Sequence, residues 1–327
     1  MANKKQKRVY IAWFPFSAPS ESMAKHLGAK AYHIHYFKKR RLFIAPVKYV
    51  LASFKTLFVL YKNRPDIIFV QNPPVFAVVV VWLYCCLKSS KYVVDTHSGI
   101  FTARRWRFFL PLYRFLARRA LMNMLHNAPL AREVKSWKAP SIVLEPGPIL
   151  TAPDRAFPFH PGFNVLIISS YDPDEPIYEV VEAARHLPDV NFYITGSLQR
   201  APQNLSMQIP DNVTLTDFLS RADFLALLKG CDVATCLTTD DNTHQWGALE
   251  ALEFERPIIT SDWPVLRSYF SRGTIHVDNT AGALVEGIKK VRSNHSHYLN
   301  EIKILKRELH TNWEARFSKL KELLDSA

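Results

Sequence analysis

Two parallel α/β domains joined by a proline-rich linker are what the sequence predicts, and three observations predict them. Apolar runs at residues 66–71 and 92–95 lack polar alternation and are bounded by turns, as strands buried on both faces are. Over residues 231–270 an apolar run, a polar Thr-Thr-Asp-Asp-Asn loop, a short helix at 245–254 and a second apolar run make a strand, loop, helix, strand unit. Between the two halves, Pro146, Pro148, Pro153, Pro158 and Pro161 crowd residues 145–162. The expected division is a first domain over 1–150, a linker over 151–162, a second domain over 163–300, and a terminal helix over 301–327 whose periodicity shows one buried face.

Composition narrows the function. A chain of 327 residues with 48% hydrophobic and 13% aromatic content can bury two cores and is not a disordered chain. There are 10 glycines and no GxGxxG or GxxxxGK(S/T) pattern, which argues against a dinucleotide oxidoreductase or a P-loop enzyme. Cys85, Cys86, Cys231 and Cys236 all lie in apolar runs and read as core residues of a reducing compartment, with neither a disulfide framework nor a zinc site. Charge is unevenly divided: residues 1–150 hold 25 Lys and Arg against 5 Asp and Glu, and the remainder 17 against 24. The first half is therefore expected to meet a polyanion, either phospholipid headgroups or nucleic acid. The longest apolar run, 75–87, falls short of the ~20 residues a membrane span needs.

In chain order, 9–14 reads as an opening strand, 21–27 as a helix, and 31–36 as a strand with His33 and His35 on one face, more structural than ligating in character. Lys38, Lys39, Arg40 and Arg41 precede an amphipathic helix in which Val47, Val50, Leu51, Phe54, Leu57, Phe58 and Tyr61 follow helical spacing. That stripe is expected to cover the sheet, while the basic cluster and its aromatics suit a surface rich in anionic lipid. A strand at 66–71, an apolar helix at 75–87 and a strand at 92–95 follow. Asp95 and His97 sit where the last of these ends, where open α/β sheets bind ligands. Either can act as a general base, or can simply satisfy loop backbone groups. Residues 102–119 interleave Arg104, Arg105, Arg107, Arg114, Arg118 and Arg119 with five aromatics and are expected to form a helix at an interface. No nucleic-acid motif accompanies them, so no nucleic-acid partner is expected.

The second half repeats the rhythm: a strand at 164–169, a helix at 179–187 with Asp172, Asp174, Glu175 and Pro176 at its start, and strands at 191–195 and 213–215. After the organising segment come a strand at 274–277 and helices at 281–291 and in the tail, where Ile302, Leu305, Leu309, Trp313, Phe317, Leu320 and Leu324 share a face. The helix at 245–254 begins at the end of a parallel strand, where free N–H groups favour an anion. Glu250 lies one turn past Gly247, where it either accepts hydrogen bonds from sugar hydroxyls or is simply a solvated helix residue.

This segment resembles the donor-binding segment of glycosyltransferases with the two-domain GT-B fold. Their pattern is a Glu, seven residues, a second Glu followed by Ala, then a Pro and two apolar residues. Glu250, Ala251 and Pro257-Ile258-Ile259 match, and Asn242 stands where the first Glu would be. Arg64-Pro65-Asp66, Val70-Gln71-Asn72-Pro73-Pro74 and Asp95-Thr96-His97 resemble the acceptor domain of members acting on polyprenyl-linked sugars. The resemblance implies two Rossmann-like domains facing a cleft. It implies transfer of a sugar from a nucleotide-sugar donor to a saccharide or lipid-linked acceptor, at the cytoplasmic face of an anionic membrane. Glu250 would hold the ribose, Gly247 and neighbouring amides the diphosphate, and Asn242, His244 and Gln245 the donor sugar. Ser169 and Ser170, with Phe218 and Leu219 at the nucleotide base, would complete the donor site. Asp95 or His97 would deprotonate the acceptor hydroxyl, or in a retaining route His97 would hold the donor sugar. Lys38, Lys39, Arg40, Arg41, Arg104 and Arg105 would meet membrane and acceptor. No cofactor beyond the donor substrate and no metal is implied. The Arg and Lys that many relatives send to the diphosphate have no counterpart in the acidic loop at 169–178, so backbone N–H groups or first-domain basic residues must meet that charge. Two other readings stay open: a nucleotide-sugar epimerase of the same fold, and a non-catalytic basic module binding membrane or nucleic acid on a degenerate scaffold.

Overall fold

The computed structural model describes residues 6–15, 18–36, 45–145, 147–148, 155–205, 209–241 and 245–326. The chain divides into two compact units, one of Met1–Pro148 with His310–Ala327, the other of Ile149–Leu309. In the first unit the strands β1 (Arg8–Ala12), β2 (Lys30–His33), β3 (Ile67–Asn72), β4 (Lys91–Thr96), β5 (Met122–Leu125) and β6 (Ser141–Val143) form one sheet in the order β2-β1-β3-β4-β5-β6. Every pairing is parallel. Parallel neighbours need crossovers. These are α1 (Ala18–His26), α2 (Ala45–Asn63), α3 (Val75–Leu87), a broken segment after β4, and α7 (Ala128–Ser136), which is capped by Asn127 accepting from the Leu130 N–H. All six residues of β3 are buried, because helices cover both faces: Ile68 and Val70 enter one apolar cluster, Ile67 and Phe69 the other.

Two helical expectations need correction. Six of the seven residues of the α2 stripe expected to cover the sheet face outward, Val47, Val50, Leu51, Phe54, Phe58 and Tyr61 all being exposed, and only Leu57 packs against the core. The buried face is the opposite one, Ala52, Thr56, Val59 and Leu60. The small Ala52 and Thr56 let the helix sit close to the sheet, and Thr56 accepts a hydrogen bond from the Trp13 indole at 2.8 Å. A helix apolar on two faces presents two candidate contact surfaces, and periodicity alone does not choose between them. Residues 102–119 are likewise not one helix. They hold the end of α4 (Gly99–Thr102), then α5 (Arg104–Arg107) and α6 (Leu110–Ala117). The chain breaks at extended Ala103 and restarts with Pro111 in the first turn of α6, where a missing N–H costs nothing. Burying Trp106 and Tyr113 leaves Arg104, Arg105 and Arg107 in solvent.

The second unit holds β7 (Phe163–Ile167), α8 (Ile177–Arg185), β8 (Val190–Ile194), β9 (Val213–Leu215), α9 (Arg221–Gly230), β10 (Val233–Cys236), α10 (Trp246–Glu253), β11 (Ile258–Ser261), α11 (Pro264–Tyr269), β12 (Thr274–Val277) and α12 (Ala281–Ser293). Its sheet is again all parallel, in the order β12-β11-β10-β7-β8-β9. Asp172, Asp174 and Glu175 lie in the loop ahead of α8 rather than in its first turn, because Pro176 takes the N-cap position. The 31-residue helix α13 (His295–Asp325) serves both cores. Ile302 and Leu305 join the apolar cluster of the second unit, and Trp313, Leu320 and Leu324 that of the first. Within the first unit the Trp313 indole donates to the Glu145 carbonyl at 3.0 Å and Arg316 pairs with the Glu145 carboxylate. No helix among the described residues is long and apolar enough to cross a membrane.

Candidate active site

Open parallel sheets bind ligands beyond the carboxyl ends of the strands where strand order reverses. In the second unit that point lies between β7 and β10, which pair directly. The loops that follow these two strands are tied together: the Thr239 N–H donates to the Asp174 carbonyl at 2.8 Å and the Thr238 hydroxyl to the Asp174 carboxylate at 2.6 Å. Gly196, after β8, has φ +117°, and a Cβ there would stand 2.8 Å from the Ser169 carbonyl oxygen, so only glycine lets the two loops approach.

Ser169 and Ser170 lie at the start of the loop after β7, and their donors are already committed. The Ser169 hydroxyl donates to Glu175 Oε2 at 2.5 Å and the Ser170 N–H at 2.9 Å, while the Ser170 hydroxyl has Asp172 Oδ2 at 2.7 Å and Glu175 Oε1 at 3.1 Å as acceptors. The loop thus holds its own carboxylate where an anion would be held. An incoming phosphate there must displace Glu175.

Glu250 projects from α10 into the interior, 3% exposed. Its Oε1 accepts from Nη1 of Arg221, the first residue of α9. Burial pushes the Glu250 carboxyl up from its ordinary value, and the Arg221 charge opposes that push. Gln245 takes the N-cap position of α10 without a side-chain cap bond, which leaves the first-turn N–H groups without that partner. A Cβ on Gly247 would lie 2.6 Å from Ile168 Cγ2 and 3.0 Å from Cys236 Sγ, so α10 sits against β7 and β10 only because that position is glycine. Gly247→Ala is expected to cost about 1–3 kcal/mol by overpacking, read from the urea midpoint at unchanged m-value. In the loop after β9, Leu219 is half-buried while Phe218 is 81% exposed, leaving its ring free to contact a ligand. Asn242 and His244 lie outside the described residues.

The first unit gathers a second constellation at the ends of adjacent strands. Asp95 in β4 is buried at 2% exposure and accepts from the Tyr10 hydroxyl of β1 and, at 3.0 Å, from His126 Nε2 just past β5. His97 Nε2 stands 3.7 Å from the same carboxylate, and the His97 and His126 rings meet edge to face at 4.4 Å. Burial would raise the Asp95 pKa. The two imidazoles outweigh it and hold the carboxyl well below the usual range. Because the ionised carboxylate only accepts, His126 Nε2 must carry the proton between them. Asp95 therefore does not reach a substrate. His97 and His126, each partly exposed, are the groups that can. Among the described residues Asp95, His97 and His126 also offer one ligand atom each within 4.8 Å of one another, a donor set that suits a divalent ion. The basic residues Lys38, Lys39, Arg40 and Arg41 lie outside the described residues.

Residues 158–307 match the family model described as Glycosyl transferases group 1. The matched stretch lies within the second unit. No curated protein matches the chain. Solved structures do, over nearly its whole length. Sucrose-phosphate synthase from Thermosynechococcus elongatus matches with TM-score 0.70 at 14% identity, over 98% of this chain and 99% of that one. Anabaena HepE in complex with UDP-glucose matches with TM-score 0.71 at 12% identity, over 98% and 100%. A protein named as a UDP-N-acetylglucosamine 2-epimerase, from Listeria monocytogenes, matches with TM-score 0.62 at 11% identity, over 96% and 97%. At such identities the likeness is one of fold, and the fold is GT-B: two Rossmann-like α/β domains.

In the second unit the sequence pointed to Glu250 but not to Arg221, whose only signal was its place after the capping Ser220 at the start of a helix. His126 and Tyr10 were missed in the first unit. His126 had a readable signal, since it follows an apolar strand and precedes the helix-capping Asn127, the same position after β5 that His97 holds after β4. A shallow depression of about 280 Å³ lined by Asp262, His276 and Lys290 lies at the β11/β12 edge, away from the switch point, and contains no residue of the expected site.

Proposed function

We propose that this chain transfers a sugar from a nucleotide-sugar donor to a saccharide or lipid-linked acceptor at the cytoplasmic face of an anionic membrane. The observation that carries the reading is Glu250: a desolvated carboxylate on the first helix past the switch point of a group 1 glycosyl transferase domain. A buried carboxylate kept beside one arginine has acceptor capacity to spare, and ribose hydroxyls would use it. The amides at Gln245 to Gly247 would take the diphosphate, with Asn242 and His244 at the sugar and Phe218 and Leu219 at the base. Ser169 and Ser170 would enter as Glu175 is displaced. Solved structures of HepE with UDP and with UDP-glucose favour a uridine donor. In the first unit His97 would deprotonate the acceptor hydroxyl, with Asp95 stabilising the imidazolium that forms and His126 fixing Asp95 in place. Arg104 and Arg105, with Lys38, Lys39, Arg40 and Arg41, would meet acceptor phosphate and lipid.

A thermal-shift panel of UDP, GDP, CMP and dTDP sugars tests the donor half. A shift with one nucleotide series is expected, and none with any series overturns the reading. The epimerase seen among the fold neighbours gives a specific second reading, and incubation with donor alone separates the two: an epimerase changes the sugar without an acceptor. Running the transfer assay with a chelator and with added divalent ions tests the no-metal expectation. Unchanged rates are expected, whereas chelator loss restored by one metal would make Asp95, His97 and His126 its ligands.

A further inference from the structure

The apolar face that α2 turns to solvent has no partner among the described residues of the first unit. Val47, Val50, Leu51, Phe54, Phe58 and Tyr61 run along one side of the helix for about 21 Å, with Phe54 68% and Phe58 59% exposed. On the neighbouring helices Leu83 and Leu87 of α3 and Phe115 of α6 are exposed too, and ring contacts tie the three helices together, Tyr61 to the buried Tyr84 at 5.2 Å and Trp82 to Phe115 at 5.4 Å. Isolated exposed apolar residues are ordinary, whereas a contiguous run of this length marks an interaction surface.

Charge identifies what covers it. Between residues 45 and 120 there are 12 Lys and Arg and two acids, Asp66 and Asp95. Asp66 is tied to the Lys7 N–H at 2.7 Å and Asp95 is buried, so neither offers a counter-charge to this face. Lys48, Lys55 and Lys62 recur every seventh residue and flank the apolar stripe on one side. Several cations lie over the aromatics themselves: Lys55 over Phe58 and Lys88 over Tyr61 at 5.4 and 5.5 Å, Arg119 over Phe115 at 3.6 Å. A second copy of the chain, packed face to face on this surface, would set these cations against their own kind with no carboxylate between them. A bilayer bearing anionic headgroups satisfies both features at once: acyl chains take the rings, headgroups take the cations, and the lysine stems bridge the two levels.

We infer that the first unit docks on anionic bilayers by inserting the α2 stripe, centred on Phe54 and Phe58, below the headgroups. This deepens the membrane-face reading above and rests on it only for biological purpose. The mode differs from surface attraction by the basic runs alone, since insertion survives salt that screens charge.

Vesicle flotation of the full chain tests it, comparing phosphatidylcholine with phosphatidylcholine/phosphatidylglycerol, at low salt and at about 0.5 M, where the Debye length is only a few ångströms. Wild type is expected to float with the anionic vesicles and to remain partly bound at high salt. Phe54→Ser with Phe58→Ser is expected to lower partitioning about tenfold or more, while Lys55→Glu with Lys62→Glu lowers it mainly at low salt. Because the serine variant removes exposed rings, its urea midpoint and donor-induced thermal shift should match wild type, which separates lost docking from lost folding. No flotation of wild type, or equal flotation of the serine variant, overturns the inference. So does a wild-type dimer in sedimentation velocity that the serine variant dissolves while vesicle binding stays absent. A missing donor shift with intact flotation would sink the transferase reading and leave this one standing.

Discussion

Glu250→Gln is expected to abolish most donor binding while leaving the fold as stable as wild type, or more so, at neutral pH. The carboxylate would accept from ribose hydroxyls as a charge-assisted acceptor, a bond worth about 1.5–3 kcal/mol, so its loss weakens donor affinity about tenfold to a hundredfold. Stability moves the other way. Burial raises the Glu250 pKa, so the wild-type contribution is fully present below the ordinary glutamate value and is lost as pH rises through the raised one. The neutral amide has no such loss, and Arg221, 38% exposed, can take its counter-charge from water. The stability difference, variant minus wild type, should therefore grow from pH 4 to neutral pH in urea titrations. A variant that keeps the wild-type thermal shift with every nucleotide sugar would remove Glu250 from the donor site. One whose stability falls relative to wild type as pH rises would mean that Arg221 stabilises the carboxylate more than burial penalises it.

What could be read in the sequence follows from how local each signal is. β3 and β10 were legible because strands covered on both faces must be apolar throughout, a property of a few consecutive residues. Glu250 was legible because a short pattern fixes its register on α10. Its partner was not. Arg221 lies 29 residues away and reaches Glu250 only through the packing of α9 beside α10. His126 is likewise 31 residues from Asp95, and only the β4–β5 pairing brings them together. Glu175 is close in sequence to Ser169, yet nothing in its spacing showed that a loop of turns would fold it back onto both serine donors. The orientation of α2 failed for a different reason. Both of its faces are apolar, and the smaller side chains won the sheet because close packing rewards fit over hydrophobic bulk.

Asp95→Asn is the second large effect, and it should separate catalysis from donor binding. Asp95 is ionised through the neutral range, held so by His97 and His126 against the cost of burial. The amide loses the charge that would stabilise an imidazolium at His97 and must present an N–H₂ toward one of two groups that now donate, Tyr10 or His126. General-base catalysis contributes about 10²- to 10⁴-fold, and most of that should vanish from kcat, while the donor-induced thermal shift stays intact because Glu250 and α10 belong to the other unit. Residues acting as one unit are non-additive, so His97→Ala should cost as much alone as in combination with Asp95→Asn. The fold carries a matching signature. The depressed Asp95 pKa contributes stability that is present above the ordinary aspartate value and lost as pH falls through the lower folded one, and Asp95→Asn should flatten that acid limb. Additive losses in the double variant would assign Asp95 and His97 to separate tasks. An Asp95→Asn chain that transfers sugar at the wild-type rate would leave the buried carboxylate a purely structural one.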